Sequence, residues 1–367
     1  MRTESAIDFG RRPILVFWET TRACLLACRH CRAAAIHEPL PGELTTAEGK
    51  RFLDSLAEFG RPLPVLVLTG GDVLLRRDLS ELVAHARRLG LPVAISPAVT
   101  GRLQPEVLRG LRAAGVSVAS ISLDGASAAT HDGLRGVDGH LEATLDAVRL
   151  LRAERFTVQV NTVVRPENVE ELPEVAALVA ASGARIWEVF FLVRTGRGSD
   201  LAELTPEQNE DVCHFLVDAS RYGFVVRTVE APFFRRVLAW RAEGRECGTG
   251  PLYGRLSARL RDLLGEPQER LRAQSKATRD GKGIVFVSHD GDVYPAGFLP
   301  LALGNVREQS LPDLYRRDPL LRQIRAARFH GRCGACEYAD LCGGARARAF
   351  AASGDPLGED PACAYRP

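Results

Sequence analysis

The sequence predicts an α/β fold, with a parallel sheet over its first two thirds and a smaller α+β unit after it. Six apolar runs rich in β-branched residues recur at regular intervals, and segments with a helical period separate them. After residue 283 the pattern changes to short strands around a turn. Strand–helix rounds of this spacing indicate parallel strands with right-handed crossovers, and continuous apolar runs indicate strands buried on both faces.

The six predicted strands span residues 14–18, 65–69, 93–96, 117–123, 157–163 and 186–193. Helices are predicted at residues 49–59, 78–89, 105–114, 141–154 and 169–182, with a further helix from 206 to 222 and a short strand at 224–229. Capping boxes at residues 45–48 and 205–208 predict two of the helix starts. Six rounds fit a partial barrel and an open doubly wound sheet equally well. In both folds ligands bind at the carboxyl ends of the strands.

The chain divides into three predicted parts. Residues 1–230 form the strand–helix domain, and residues 231–283 form a linker with one or two helices because their apolar period is weak. Residues 284–367 form the α+β unit, with a hairpin at 284–294 and a helix near 313–327.

Composition excludes several classes of protein. The chain is 46% apolar and 26% charged with a net charge of +2, which indicates a globular protein without a broad attraction to nucleic acid or anionic membrane. No apolar run is long enough to span a bilayer, and the polar amino terminus lacks a signal-peptide core. The sequence therefore predicts a cytoplasmic protein.

Seven of the nine cysteines fall into two groups near opposite ends of the chain. The first cysteine group is Cys24, Cys28 and Cys31, and the second cysteine group is Cys333, Cys336, Cys342 and Cys363. An odd count without an export signal argues against a disulfide framework, and dense thiolates in a reducing compartment indicate metal. Cys213 and Cys247 stand alone, and we interpret both as buried reduced thiols.

The first cysteine group follows the first predicted strand. Three thiolates leave one iron of a four-iron cluster open, as catalytic metal sites do. The alternative is a structural zinc site completed by His30 or His37, although this cysteine spacing is not a usual zinc pattern.

The run from Trp18 through Cys24, Cys28, His30 and Cys31 to Ala33 resembles the signature of the radical S-adenosylmethionine (radical SAM) superfamily. It is most similar to the branch with heme-biosynthesis enzymes and peptide-modifying enzymes that carry a SPASM or twitch domain. The resemblance implies a partial (β/α)6 TIM-type barrel, followed by a small α+β SPASM/twitch domain with an auxiliary iron–sulfur cluster. It also implies a three-cysteine 4Fe-4S cluster that binds SAM, with His30 stacking on the adenine.

The resemblance assigns further SAM contacts to strand ends. Gly70, Gly71 and Asp72 resemble the family's GGE motif, in which the glycines allow close approach of a ligand and the carboxylate binds the methionine amino group. The remaining implied SAM contacts are Ser122, Asp124, Asn161, Leu192 and Val193.

The second cysteine group can ligate a 4Fe-4S cluster completely, with a zinc site as the alternative. A second auxiliary cluster of a full SPASM domain would need cysteines where Ala296 and Arg346 stand, so we expect one auxiliary cluster. A fully ligated cluster has no open iron, which favours electron transfer over substrate coordination.

The resemblance implies an anaerobic oxidoreductase in which a 5′-deoxyadenosyl radical abstracts hydrogen from a substrate. The substrate is either a carboxylated small molecule, such as a tetrapyrrole, or a ribosomal peptide with a separate recognition protein. A flavodoxin- or ferredoxin-type reductant is the expected partner. The alternative from another class is a non-catalytic iron–sulfur electron carrier or sensor. The arginines at 194, 197, 346 and 348 have several open interpretations: they pair with substrate carboxylates, lie on solvated faces, or make structural contacts around the clusters.

Overall fold

A computed structural model describes residues 7–245, 248–274 and 277–367. The described strands form one sheet in the order β10-β9-β8-β1-β2-β3-β4-β5-β6-β7. Their bounds are β1 (Leu15–Glu19), β2 (Val65–Thr69), β3 (Val93–Ile95), β4 (Val118–Ser122), β5 (Thr157–Val164), β6 (Ile186–Phe191), β7 (Val225–Val229), β8 (Ile284–Val287), β9 (Asp292–Tyr294) and β10 (Gly304–Asn305).

The helices alternate with the parallel strands and then continue into the C-terminal unit. Their bounds are α1 (Thr46–Ser55), α2 (Leu79–Arg88), α3 (Pro105–Ala113), α4 (Ala128–Arg135), α5 (His140–Ala153), α6 (Leu172–Ser182), α7 (Pro206–Ala219), α8 (Phe234–Ala242), α9 (Pro251–Leu264), α10 (Leu311–Arg317), α11 (Pro319–Arg325), α12 (Gly331–Ala335) and α13 (Arg346–Ser353).

The sheet topology decides between the two folds that the sequence left open. Strands β1 to β7 pair in parallel and in chain order, with no reversal of strand order. A doubly wound sheet has such a reversal, whereas a barrel winds in one direction. The sheet keeps two edges, β7 and β10, so the parallel part is a partial barrel.

Burial along the strands shows which face of the sheet carries the core. Residues of β5 alternate strictly between half-buried and buried, and β6 does the same. The buried residues pack under the helices, where the main apolar cluster includes Trp18, Leu82 and Trp187. Our expectation of burial on both faces is therefore wrong for these strands, because their inner face lines the barrel interior.

Local signals account for most of the helix ends. Thr45 and Thr205 each accept from the third helical N–H of a capping box, as predicted. The helix expected near 313–327 is instead two helices, α10 and α11, because Pro319 starts a new helix after Asp318. Helix α4 was not predicted, because it is only eight residues long and most of its buried residues are polar.

The C-terminal unit joins the barrel sheet directly. Strand β8 pairs in parallel with β1, while β8 and β9 form the expected antiparallel hairpin. Two helices, α8 and α9, lie in the segment 231–283, and Cys247 in that segment lies outside the described residues. In the described part of the chain, no helix has the length and hydropathy required to cross a bilayer.

Candidate active site

The first cysteine group lies on the loop that leaves the carboxyl end of β1. Cys24 N–H donates to the Ile36 carbonyl at 2.7 Å, and Leu26 N–H lies 3.4 Å from Cys24 Sγ. All three cysteines are free thiols. Burial raises the pKa of Cys24 to about 11, so the thiol keeps its proton until a metal replaces it. This donor set suits an iron–sulfur cluster, whose sulfurs accept backbone hydrogen bonds.

The two glycines after β2 allow the backbone of the cysteine loop to lie against them. Gly71 N–H donates to the Thr21 carbonyl at 2.8 Å, and a Cβ on Gly71 would lie 2.3 Å from the Ala23 carbonyl oxygen. A Cβ on Gly70 would lie 2.6 Å from the Thr21 carbonyl oxygen. Both glycines thus lie against the chain just before Cys24, and their close approach to a ligand stays a prediction.

The Asp72 carboxylate is engaged by its own neighbourhood. It accepts from Leu74 N–H at 3.1 Å, from Ala98 N–H at 3.3 Å and from the Thr100 hydroxyl at 3.0 Å. Burial raises the pKa of Asp72. The side chain thus joins the ends of β2 and β3 beside the cysteine loop, and contact with a methionine amino group stays a prediction.

An unpredicted arginine connects the cysteine loop to β4. Arg135, at the end of α4, is buried, and its Nη1 lies 3.6 Å from Cys28 Sγ while its Nη2 pairs with Asp124. Asp124 also accepts from Val163 N–H at 2.8 Å, and its Oδ2 lies 3.9 Å from His30 Nε2. Two predicted site residues, His30 and Asp124, are therefore neighbours. No pattern in the sequence pointed to Arg135, because α4 itself was not predicted.

The His30 ring is enclosed and partly unpaired. Its Nδ1 is buried without a hydrogen-bond partner among the described residues. Burial lowers the pKa of His30 to about 4, so the ring is neutral at physiological pH. A neutral imidazole with a free nitrogen fits the expected contact with a heteroaromatic base.

Ser122 and Asn161 lie in one row across the barrel. Ser122 is paired with Asn161, Asn161 with Glu188, and Glu188 with Arg227. Gln159 Nε2 donates to Asn161 Oδ1 and to Glu188 Oε2, both at 2.8 Å. Burial raises the pKa of Glu188. Glu188 is a lining residue that the sequence analysis missed, because only the strand register places it beside Asn161.

The segment after β6 holds the cysteine loop from the other side. Arg197 Nε donates to the Cys28 carbonyl at 2.9 Å and Nη1 to the Ala35 carbonyl at 2.7 Å. Leu192 and Val193 precede it and are buried. The sequence left open whether Arg197 pairs with a substrate carboxylate, lies on a solvated face or makes a structural contact. The structure shows a structural contact with the cysteine loop.

The second cysteine group surrounds a compact loop of backbone donors. Asp360 N–H lies 3.4 Å from Cys333 Sγ, and Gly344 N–H lies 3.5 Å from Cys342 Sγ. Gly344 has φ +61°, and a Cβ there would lie 3.0 Å from Cys333 Sγ. Burial raises the pKa of Cys342 to about 12. These features fit a cluster whose thiolates are stabilised by metal and by N–H donors.

Cys336 and Cys363 complete this group. Tyr338 N–H lies 3.4 Å from Cys336 Sγ, and Cys363 N–H donates to the Asp360 carbonyl at 3.4 Å. Across the part of the chain that the structure describes, no three His, Cys, Asp or Glu side chains are placed to hold a single metal ion.

Two buried arginines support the second group. Arg346 Nη2 lies 3.6 Å from Cys333 Sγ, and the rest of its guanidinium donates to loop carbonyls, among them Gly358 at 2.5 Å. Arg348 donates to the Leu192 carbonyl at 3.0 Å and contacts the Asp360 carboxylate at 3.3 Å. Both arginines are committed to structural contacts, and Arg348 connects the C-terminal unit to the segment after β6.

Comparison with known proteins places the chain in a family. The radical SAM superfamily model matches residues 18–179, and the SPASM model, an iron–sulfur cluster-binding domain, matches residues 279–337. The AdoMet-dependent heme synthase of Methanosarcina barkeri is 38% identical over 98% of this chain and 99% of its own length. The chain is a member of the radical SAM superfamily. It is therefore a radical SAM enzyme with a C-terminal SPASM domain, and its chemistry uses SAM and iron–sulfur clusters.

The chain is also similar to a maturase and to a solved structure with a bound precursor peptide. The mycofactocin maturase MftC of Mycobacterium tuberculosis is 30% identical over 96% of this chain and 83% of its own length. Streptococcus suis SuiB has a similar fold. Its structure bound to S-adenosylmethionine gives a TM-score of 0.67 at 14% identity, covering 97% of this chain and 78% of SuiB. Its structure with the precursor peptide SuiA gives 0.68 at 16% identity, covering 97% and 76%.

Proposed function

We propose that this radical SAM enzyme oxidises a carboxylated tetrapyrrole, and that its reaction is an oxidative decarboxylation of side chains. The observation that carries this proposal is the end-to-end match to the heme synthase of Methanosarcina barkeri, at 38% identity over nearly the full length of both chains. The matched length spans the barrel and most of the C-terminal unit.

We assign the first cysteine group to a 4Fe-4S cluster that binds SAM and the second to one auxiliary 4Fe-4S cluster. When bound, SAM and the first cluster supply a 5′-deoxyadenosyl radical that abstracts a hydrogen atom from a substrate carbon. The assigned SAM contacts are His30, Gly70, Gly71, Asp72, Ser122, Asp124, Asn161, Leu192 and Val193.

The chain's own residues orient the site and exclude water from it. Arg135 and Arg197 hold the cysteine loop from two sides, through Cys28 Sγ and the Cys28 carbonyl. Phe190, on the inner face of β6, lies 6.3 Å from Phe298 of the C-terminal unit between ring centroids. These apolar rings close part of the interior, where a reactive radical needs protection from solvent.

The electron balance of the reaction explains a second cluster. A carboxylate side chain that loses one hydrogen atom and carbon dioxide forms an alkene and releases one electron. We assign the auxiliary cluster, bound by the second cysteine group, to accept this electron. A flavodoxin- or ferredoxin-type partner exchanges electrons with the protein. A reducing compartment such as the cytoplasm is part of this proposal, because clustered cysteines are kept there as thiols that can bind iron.

The test is anaerobic turnover of the reconstituted protein with SAM, dithionite and iron coproporphyrin III. We expect 5′-deoxyadenosine, together with loss of carbon dioxide and two hydrogen atoms from each converted side chain by mass spectrometry. Formation of 5′-deoxyadenosine with an unchanged porphyrin contradicts the substrate but not the radical chemistry. Absence of 5′-deoxyadenosine with both clusters loaded contradicts the assignment of the first cysteine group to SAM cleavage.

A peptide substrate is the second candidate. The 30% identity to a mycofactocin maturase over 96% of this chain favours it. In that case a separate recognition protein would present the peptide. Conversion of a precursor peptide encoded beside this protein's gene, with no conversion of the porphyrin, would decide for it.

A further inference from the structure

We propose that Arg236 raises the reduction potential of the auxiliary cluster, and that its ion-pair partner Glu210 opposes this effect. The proposal rests on the proposed function in one respect, because it requires a cluster bound by the second cysteine group. It assigns a role to residues that lie outside both cysteine groups.

Arg236 is a buried cation with a defined orientation. It lies on α8, is 1% exposed, and donates to Glu210 Oε1 at 2.8 Å and Oε2 at 2.6 Å. Its guanidinium carbon lies 4.3 Å from the Trp240 ring centroid and 5.0 Å from that of Tyr365. The bidentate pair and the two rings hold the positive charge in one place.

The guanidinium lies beside two aromatic residues that are close to cysteines of the second group. Tyr365, whose ring it contacts, stands two residues after Cys363 in the chain. Trp240, whose ring it also contacts, donates its indole N–H to the Tyr338 hydroxyl at 2.9 Å, and Tyr338 N–H lies 3.4 Å from Cys336 Sγ. These contacts place the positive charge next to the second cysteine group.

A positive field favours the reduced state of a cluster. Reduction adds one negative charge, which a nearby cation stabilises, and buried charges are poorly screened by salt. Removal of Arg236 then lowers the potential, and removal of the Glu210 charge raises it. A higher potential suits a cluster that accepts an electron from a substrate.

Two other arginines near the second cysteine group differ from Arg236, because they bond to the loop that carries the cysteines. Arg346 contacts Cys333 Sγ and donates to the Gly344 carbonyl at 3.1 Å, and Arg235 donates to the Leu341 carbonyl at 3.0 Å. Both belong to the bonding of the ligand-bearing loop, so their substitution alters its shape. The Arg236 guanidinium instead bonds to Glu210, outside that loop, so its charge can be changed with less effect on the ligands.

The test is an EPR-monitored redox titration of the reconstituted holoenzyme. The variants are Arg236→Gln, Arg236→Lys and Glu210→Gln, with Arg241→Gln as the control on the same helix, where Arg241 pairs with Asp218. SAM distinguishes the two clusters, because only the signal of the SAM-binding cluster responds to its addition.

We expect a lower midpoint potential of the auxiliary cluster in Arg236→Gln and a higher one in Glu210→Gln. Arg236→Lys and Arg241→Gln should remain close to wild type, as should the first cluster in every variant. A purely structural role predicts no such opposite shifts. If Arg236→Gln does not load its clusters, Glu210→Gln alone decides, and an unchanged or lower potential there overturns the proposal. Wild-type protein with iron for a single cluster overturns the assignment of the auxiliary cluster and this proposal with it.

Discussion

Glu19 Oε1 lies 3.1 Å from His289 Nδ1, so the last residue of β1 is bonded to the hairpin turn of the C-terminal unit. The other carboxylate oxygen of Glu19 accepts from Arg32, next to Cys31, at 2.7 Å. Burial alone would raise the pKa of Glu19, but Arg32 and His289 bring it below its usual value. One buried carboxylate thus connects the cysteine loop to the domain that carries the second cysteine group.

Glu19→Gln should weaken this connection. The amide cannot neutralise Arg32, and breaking a buried ion pair costs about 3–5 kcal/mol. We expect a lower unfolding temperature and a several-fold loss of 5′-deoxyadenosine formation, measured anaerobically on the same preparation. Glu81→Gln is the control, since its pair with Lys50 lies at the surface and is worth about 0–1 kcal/mol. Equal stability of both variants would contradict a coupling role for Glu19.

Gly71→Ala should disturb the cysteine loop. The added Cβ would lie 2.3 Å from the Ala23 carbonyl oxygen, so the backbone before Cys24 must shift. Such overpacking costs about 1–3 kcal/mol. We expect less iron and sulfide in the first cluster after reconstitution, with the auxiliary cluster retained. Gly101→Ala is the matched control, because its Cβ meets no atom within 4 Å. Full loading of the first cluster in Gly71→Ala would show that the loop tolerates the shift.

The strands and both cysteine groups could be predicted because their signals are local. Buried strands need consecutive apolar residues, and metal ligands of one loop stand close together in sequence. Arg135 and Glu188 could not be found in this way. Arg135 reaches Cys28 from a short helix whose buried residues are mostly polar, and Glu188 reaches Asn161 only through the register of β5 and β6. The pairing of β8 with β1 joins residues far apart in the chain, and no local pattern encodes it.

Single substitutions of cysteines should have different effects on the two clusters, depending on the group to which each cysteine belongs. Cys28→Ala should remove the first cluster and abolish 5′-deoxyadenosine formation, because a cluster with two thiolates does not hold SAM in place. Cys342→Ala should remove the auxiliary cluster, leave some SAM cleavage and stop product formation. Cys213→Ala should retain both clusters, since this thiol is buried in the apolar core, as expected. Iron analysis and EPR check all three, and loss of a cluster in Cys213→Ala would contradict the inert role.

His131 should give the protein an acid-dependent loss of stability. Its Nδ1 accepts from Asp124 N–H at 3.0 Å, and its Nε2 lies 2.9 Å from His140 Nδ1, so both ring nitrogens are engaged when the ring is neutral. Burial lowers the pKa of His131 to about 4, despite the nearby Asp124 carboxylate. The unfolded state takes up a proton near pH 6.5 and the folded state only near pH 4. Stability from this residue is therefore complete above about pH 6.5 and falls as the pH falls towards 4.

Urea unfolding of the anaerobic protein at pH 7.5 and pH 5.5 measures the pH-dependent contribution of His131 to the free energy of unfolding. We expect wild type to lose about 1 kcal/mol more than His131→Asn between these two values, because the asparagine keeps an acceptor for Asp124 N–H without the titration. His37→Asn, at an exposed position, should behave as wild type. The same pH dependence in His131→Asn and wild type would assign the acid sensitivity to other groups and show that the His131 ring is not held neutral by its buried hydrogen bonds.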